Sequence, residues 1–255
     1  SGRRRHRTRT VQSVMIIKNV KVFTEDKTFE PGAIGIENGI FKNNLFDSGE
    51  IIDGEGCYAI PGLIDVHFHG CMGYDFCDGT KEAIEKIAEY EAAQGVTTIV
   101  PATMTLSEEE LMKIMANGGT YENKEGAAVL AGINMEGPFI CSKKKGAQAA
   151  THIHKPDVAM FRRLQEAANG LIRLVDIAPE VEGAMEFISE LKDEVHISFA
   201  HTTADYDTAK TGYALGACHA THLYNAMPPF THREPGVIGA ARDSEHCMVE
   251  LICDG

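Results

Sequence analysis

The stretch "GLIDVHFHG" (residues 62–70) ends an apolar run on two histidines spaced two residues apart. Side chains alternate between the two faces of a strand, so His67 and His69 share one side and converge on one small volume. The same design, an apolar strand followed by a polar residue, recurs in "GVTTIVPAT", "AAVLAGINMEGPF", "LIRLVDIAPE", "VHISFAHTTA", "GACHATHLYNAM" and "CMVELICDG". Between most of these lie helical stretches such as "TKEAIEKIAEYEAAQ" and "SEEELMKIMANGG", with apolar residues at i, i+3 and i+4. Repeated βα units with buried strands predict a parallel sheet covered by helices.

The strand ends choose between the two parallel architectures. His67 and His69 end the first strand, Glu136 the third, His201 the fifth, and His222 with Asn225 the sixth. An open doubly wound sheet would spread these residues along an edge at about 4.8 Å per strand. A closed barrel gathers them at its C-terminal mouth. The expected fold is therefore α/β, a (β/α)8 barrel over residues 61–255. Short alternating runs broken by Gly, Asn and Asp over residues 14–60 predict a small N-terminal β-sandwich domain. Seven strands are one short of a closed barrel, and the sequence stops at "ICDG". The expectation is a C-terminally truncated piece of a longer protein, lacking the eighth βα unit and inactive alone.

The 255 residues, 44% of them apolar and 24% charged, suffice for one large barrel and its small companion. Apolar runs of the roughly 20 residues needed to span a bilayer are missing, as is an apolar leader, and the expected compartment is the cytoplasm. Seven cysteines without a CxxC pair argue for reduced thiols, several in buried strands, over a disulfide framework. The formal charge of −13 includes five arginines in "SGRRRHRTRT"; the remaining 19 basic and 37 acidic residues carry −18. Residues 1–13 are expected to be an appended tag or disordered tail. The acidic body disfavours nucleic acid, and an anionic substrate needs a local cluster of donors.

Imidazoles and a carboxylate gathered at one strand end suit a divalent transition metal, zinc foremost, with iron or another first-row ion as alternatives. Alone, His201 or His222 would read as a hydrogen-bonded structural histidine. Their convergence with Glu136 and the HxH pair points to metal.

These residues also carry a resemblance. "PGLIDVHFHG" resembles the first-strand signature of the amidohydrolase superfamily. "MEGPFI", "KKKGA", "FAHTTA" and "THLYNAMPPFTHREPG", in that order, resemble its N-acetylglucosamine-6-phosphate deacetylases. The resemblance implies metal-dependent hydrolysis of the acetamide of a phosphorylated amino sugar. It implies a principal metal site of Glu136, His201 and His222, and a second site of His67 and His69 with Glu136 as bridge, so one or two ions. It implies phosphate binding by Asn225, the Ala226 amide and Arg233, with Arg233 reaching a neighbouring subunit in a homodimer. The family's catalytic aspartate falls beyond Gly255, and Asp254 does not replace it. Gln148 stands where the family often has histidine; the exchange is expected to alter a substrate or loop contact and leave the metal ligands untouched. A cyclic-amidase type is disfavoured, because its fourth-strand lysine has no counterpart in "LIRLVDIAPE". A non-catalytic metal-binding barrel and a hydrolase of another N-acyl sugar are the competing readings. His152, His154, His196, His219, His232 and His246 receive no role.

Overall fold

The computed structural model describes residues 14–42 and 46–254, which leaves the expected basic tail at 1–13 outside the described residues. The chain divides into two compact units, 1–62 and 63–255.

In the first unit, β1 (Val14–Phe23) pairs antiparallel with β2 (Phe29–Glu37), which pairs antiparallel with β3 (Ile40–Lys42). On its other edge β1 pairs parallel with β4 (Glu50–Asp53) and, further along, with β5 (Tyr58–Ala59). A register shift between Ile17 and Val20 bends β1. The described residues form one mixed sheet in which Ile16 and Val20 are the buried apolar side chains. A second layer of the expected sandwich is not among them.

The second unit begins with β6 (Leu63–Asp65), followed by a hairpin of β7 (Gly70–Cys71) and β8 (Tyr74–Asp75). Helix α1 (Lys81–Ala93) starts where the Thr80 hydroxyl accepts the Ala83 N–H, and buries Ala83, Ile84, Ile87 and Ala88. Next come β9 (Val96–Ile99) and α2 (Glu108–Gly119), which opens on a reciprocal Ser107–Glu110 capping box. Then follow β10 (Val129–Leu130), β11 (Ile133–Glu136), α3 (Val158–Ala167), β12 (Ile172–Ile177), α4 (Ala184–Leu191) and β13 (His196–Phe199). Last are α5 (Tyr206–Leu215), β14 (His219–Ala220), α6 (Gly236–Asp243) and β15 (Met248–Val249).

Outside the β7–β8 hairpin, pairing runs in sequence order and is parallel: β6 with β9, β9 with β10, and β11 through β15 in succession. A parallel bridge between Ala102 and Asn134 joins the two groups. Hydrogen bonds from Val100 N to Asp65 O and from Ala102 N to Phe68 O carry the pairing beyond β6, as far as the HxH segment. The helices bury Phe161, Phe187, Ile188, Leu111 and Met115 against the strands' Ile133, Val175, Ile197 and Phe199. Each such side chain contributes about 1.5–3 kcal/mol of burial free energy. Leu63 and Ile64 at one edge, and Met248 and Val249 at the other, are exposed. None of the seven cysteines is fully buried, contrary to the expectation of thiols in buried strands; all seven are free.

Gly137 follows Glu136 with φ of +84°, and a Cβ there would lie 2.1 Å from Thr105 Oγ1. The chain turns off β11 at this point only because no side chain intervenes. Gly137→Ala is expected to lower unfolding free energy by about 1–3 kcal/mol, read as a reduced midpoint in urea denaturation.

Candidate metal centre

Five residues from four strand ends meet around one carboxylate. Glu136 closes β11 and is 2% exposed. The Nε2 atoms of His201 (2.9 Å), His222 (3.4 Å) and His67 (3.5 Å) face its Oε1, and that of His69 lies 3.3 Å from Oε2. The ligand atoms form two groups that share Glu136: His67 with His69, and His201 with His222. The strand-end reading thus brought together all five metal candidates.

Local backbone aims these side chains. His67 and His69 sit two apart, ring centroids 5.6 Å from each other. His201 and His222 leave β13 and β14 with φ of +46° and +34°. Left-handed backbone is uncommon for a side-chain-bearing residue and persists where the surroundings over-determine it. Here the His201 carbonyl accepts from Cys141 N, and the His222 N–H donates to Glu250 Oε2.

The far nitrogens of the rings decide which atom presents a lone pair. His201 Nδ1 lies 2.8 Å from the Lys144 carbonyl oxygen, and His69 Nδ1 3.3 Å from that of Ala102. His67 Nδ1 lies 2.8 Å from Glu250 Oε2. Carbonyls and carboxylates only accept, so these three rings carry hydrogen on Nδ1, and their neutral forms turn an Nε2 lone pair toward the Glu136 carboxylate. Facing an anion, each Nε2 either shares a cation with it or carries a proton itself. Burial alone would raise the Glu136 pKa, but its hydrogen bonds to the imidazoles, His201 first, hold it well below the usual carboxylate range. Burial likewise opposes protonation of His67, yet Glu136 and Glu250 push its pKa up to about 11.

The residues fit a divalent ion. Ligands at about 2.0–2.2 Å around a tetrahedral ion stand about 3.3–3.6 Å apart, close to the 2.9–3.5 Å found between the imidazoles and Glu136. Nitrogen and carboxylate donors without thiolate suit first-row ions.

Gln148 corrects an expectation. Rather than leaving the ligands untouched, it is buried against them. Its Nε2 donates to Glu136 Oε2 at 2.8 Å and its Oε1 accepts from Thr105 N at 2.6 Å. Asn225 and Ala226 fall in the turn just after His222, where the Ala226 carbonyl accepts from Thr202 N. Arg233 is exposed ahead of α6 and has no ion-pair partner among the described residues. His219 stays outside both groups, 3.0 Å from Ser198 Oγ, and burial lowers its pKa.

Three residues escaped the sequence reading: Glu250, Asp176 and Lys144. Glu250 lies just past β15 and Asp176 within β12, so polarity near a strand's C-terminal end was the available signal. Asp176 is fully buried, its pKa raised well above the usual range by that burial and by Glu250. Lys144 offers its carbonyl to His201 and its ammonium to the Met227 carbonyl, which no side-chain pattern announces.

A parallel α/β array here carries, at its strand ends, a histidine-carboxylate cluster that could hold a metal ion. Residues 58–252 match the amidohydrolase family, and the chain belongs to it; that family is metal-dependent, and the cluster can hold its metal. The N-acetylglucosamine-6-phosphate deacetylase of Bacillus subtilis (strain 168) is 35% identical over 252 residues, covering 94% of this chain and 64% of the relative. The N-acetylgalactosamine-6-phosphate deacetylase of Escherichia coli O157:H7 is 26% identical over 242 residues, with coverages of 94% and 64%. Among solved structures, a mutant N-acetyl-D-glucosamine-6-phosphate deacetylase from Mycobacterium smegmatis, in complex with N-acetyl-D-glucosamine-6-phosphate, matches with a TM-score of 0.83 and 27% identity. That match covers 96% of this chain and 64% of the other. The chain spans 64% of the length of each of these proteins.

Because Glu136 is common to both groups, Glu136→Ala is expected to abolish Zn2+ uptake at both, whereas His69→Ala impairs only the group shared with His67. Equilibrium dialysis with metal analysis distinguishes the two patterns.

Proposed function

We propose that the whole protein is a metal-dependent N-acetylglucosamine-6-phosphate deacetylase, releasing acetate and glucosamine 6-phosphate, built on a (β/α)8 barrel. The observation that carries the reading is the convergence of His67, His69, His201 and His222 on Glu136, in a chain 35% identical to a curated deacetylase. The sequential parallel order of the strands supports the barrel.

In this reading Glu136, His201 and His222 hold one ion, and His67 and His69 with Glu136 a second; Zn2+ is the first choice and Fe2+ the next. A bound divalent ion supplies a Lewis acid that activates water and polarises the acetamide carbonyl near neutral pH. The chain's own residues orient that chemistry. Glu136 is held in place from one side by His201 and from the other by Gln148. Asn225, the Ala226 amide and Arg233 take the phosphate, an amide donor and a guanidinium fork serving several oxygens at once. Proton delivery to the leaving amine is assigned to none of the chain's carboxylates, since Glu136 and Glu250 are committed to histidines and Asp254 is exposed. The exposed Arg233, without an ion-pair partner among the described residues, supports a homodimer in which it reaches a phosphate across the subunit interface. Free thiols support a cytoplasmic setting. No described helix is long and apolar enough to cross a membrane.

A second reading, hydrolysis of another N-acyl sugar phosphate, is favoured by the similarity to the N-acetylgalactosamine-6-phosphate deacetylase. Acetate release by the whole protein from N-acetylglucosamine 6-phosphate, N-acetylgalactosamine 6-phosphate and unphosphorylated N-acetylglucosamine separates the two. No release from any of them sinks both and leaves a non-catalytic metal-binding barrel. Arg233→Ala is expected to raise KM for the preferred phosphorylated sugar by about 10- to 100-fold while leaving turnover of the unphosphorylated sugar unchanged. Steady-state kinetics on both sugars check this.

A further inference from the structure

Glu250 is a buried acid to which the functional reading gives no task. It follows β15, and its backbone is fixed on both sides: its N–H donates to Ala220 O and its carbonyl accepts from Leu223 N, each at 3.0 Å. The side chain, 6% exposed, therefore has a set origin. Its Oε2 accepts from His67 Nδ1 at 2.8 Å and from the His222 backbone N–H at 3.1 Å. Its Oε1 makes no hydrogen bond among the described residues and lies 3.6 Å from His219 Nδ1.

One oxygen thus touches both halves of the cluster, the ring of a residue in the first group and the backbone of a residue in the second. Among the four histidines, His67 alone rests its far nitrogen on a carboxylate. His69 and His201 use carbonyls, and His222 Nδ1 has no partner. A carboxylate behind an imidazole fixes the tautomer and ring orientation and makes the facing nitrogen a stronger donor. An ordinary buried ion pair would do none of this selectively and would be costly to keep.

We infer that Glu250 is a positioning residue that organises the His67–His69 half of the cluster as a second ion site, by locking the His67 ring with Nε2 toward Glu136. The inference rests on the metal reading above. The identity of the ion is immaterial to the geometry, so Zn2+ alone serves as probe.

The test is Zn2+ titration of the whole protein after chelator treatment, with stoichiometry and affinity read for each site. The wild type is expected to bind about two Zn2+ per chain, one for each group. Glu250→Leu is expected to weaken one of them by about 10- to 100-fold and leave the other within about threefold of wild type. Glu250→Gln keeps an acceptor oxygen and is expected to restore most of the loss. Glu250→Asp, which withdraws the charge by one bond of about 1.5 Å, is expected to show the same one-site loss in milder form and serves if the leucine variant does not fold. Imidazole 15N shifts of His67 add a readout independent of metal, with hydrogen on Nδ1 in the wild type and the tautomer released in Glu250→Leu. Equal loss at both sites, unchanged binding in every folded variant, or a wild-type chain taking up one ion overturns the inference and leaves the metal reading standing. A wild-type chain that binds no Zn2+ overturns both.

Discussion

Glu136 carries a negative charge at a position almost sealed from water. Moving a carboxylate into such surroundings costs several kcal/mol even after relaxation, and the cost is met only by positive charge and hydrogen bonds placed around it. The structure places four imidazoles and the Gln148 amide there. Those partners come from the first, fifth and sixth strands of the array and from a loop, so satisfying one oxygen pair sets conditions on elements far apart in sequence. The core can be rearranged within broad limits of volume and shape. This polar cluster cannot, because each partner must arrive at hydrogen-bond distance.

A parallel array meets that demand economically. All its strands point the same way, so every C-terminal end lies at the same side, and a polar residue placed there by each strand joins the others. What the sheet does not supply is the final aim of the side chain. At His201 and His222 the backbone turns left-handed, and at Gly137 the chain passes too close to Thr105 for a side chain. These three departures from regular strand lie beside the cluster, in keeping with the storage of backbone strain at functional sites.

The alternation of "VHFH", the βα rhythm and the polar strand ends made the parallel array and all five cluster residues legible in sequence. The i, i+3, i+4 spacing marked the helices that the structure has as α1 and α2. Other features were less legible for physical reasons. Gln148 lies in a loop, 12 residues beyond Glu136 and outside any periodicity, so nothing in its spacing reveals that it folds back onto the carboxylate. Glu250 and Asp176 obeyed the strand-end rule and were passed over, because an acid near a strand end is equally at home in a solvated turn. In the N-terminal unit alternation identified strands, but period-two patterning fixes only which residues share a face, not how many sheets lie over it.

The hydrogen bond between His67 and Glu250 joins residues 183 positions apart. It links the first parallel strand of the array to the last, strands whose outer edges make no backbone pairing with one another among the described residues. The entropic cost of bringing chain segments together grows with the length of the loop closed, and contacts of such separation depend on everything between them being in place. The carboxylate behind the HxH pair, which is itself early in the sequence, therefore comes into place only when β15 has docked. An ion held there would sense the finished array, because the carboxylate behind His67 arrives with the last strand.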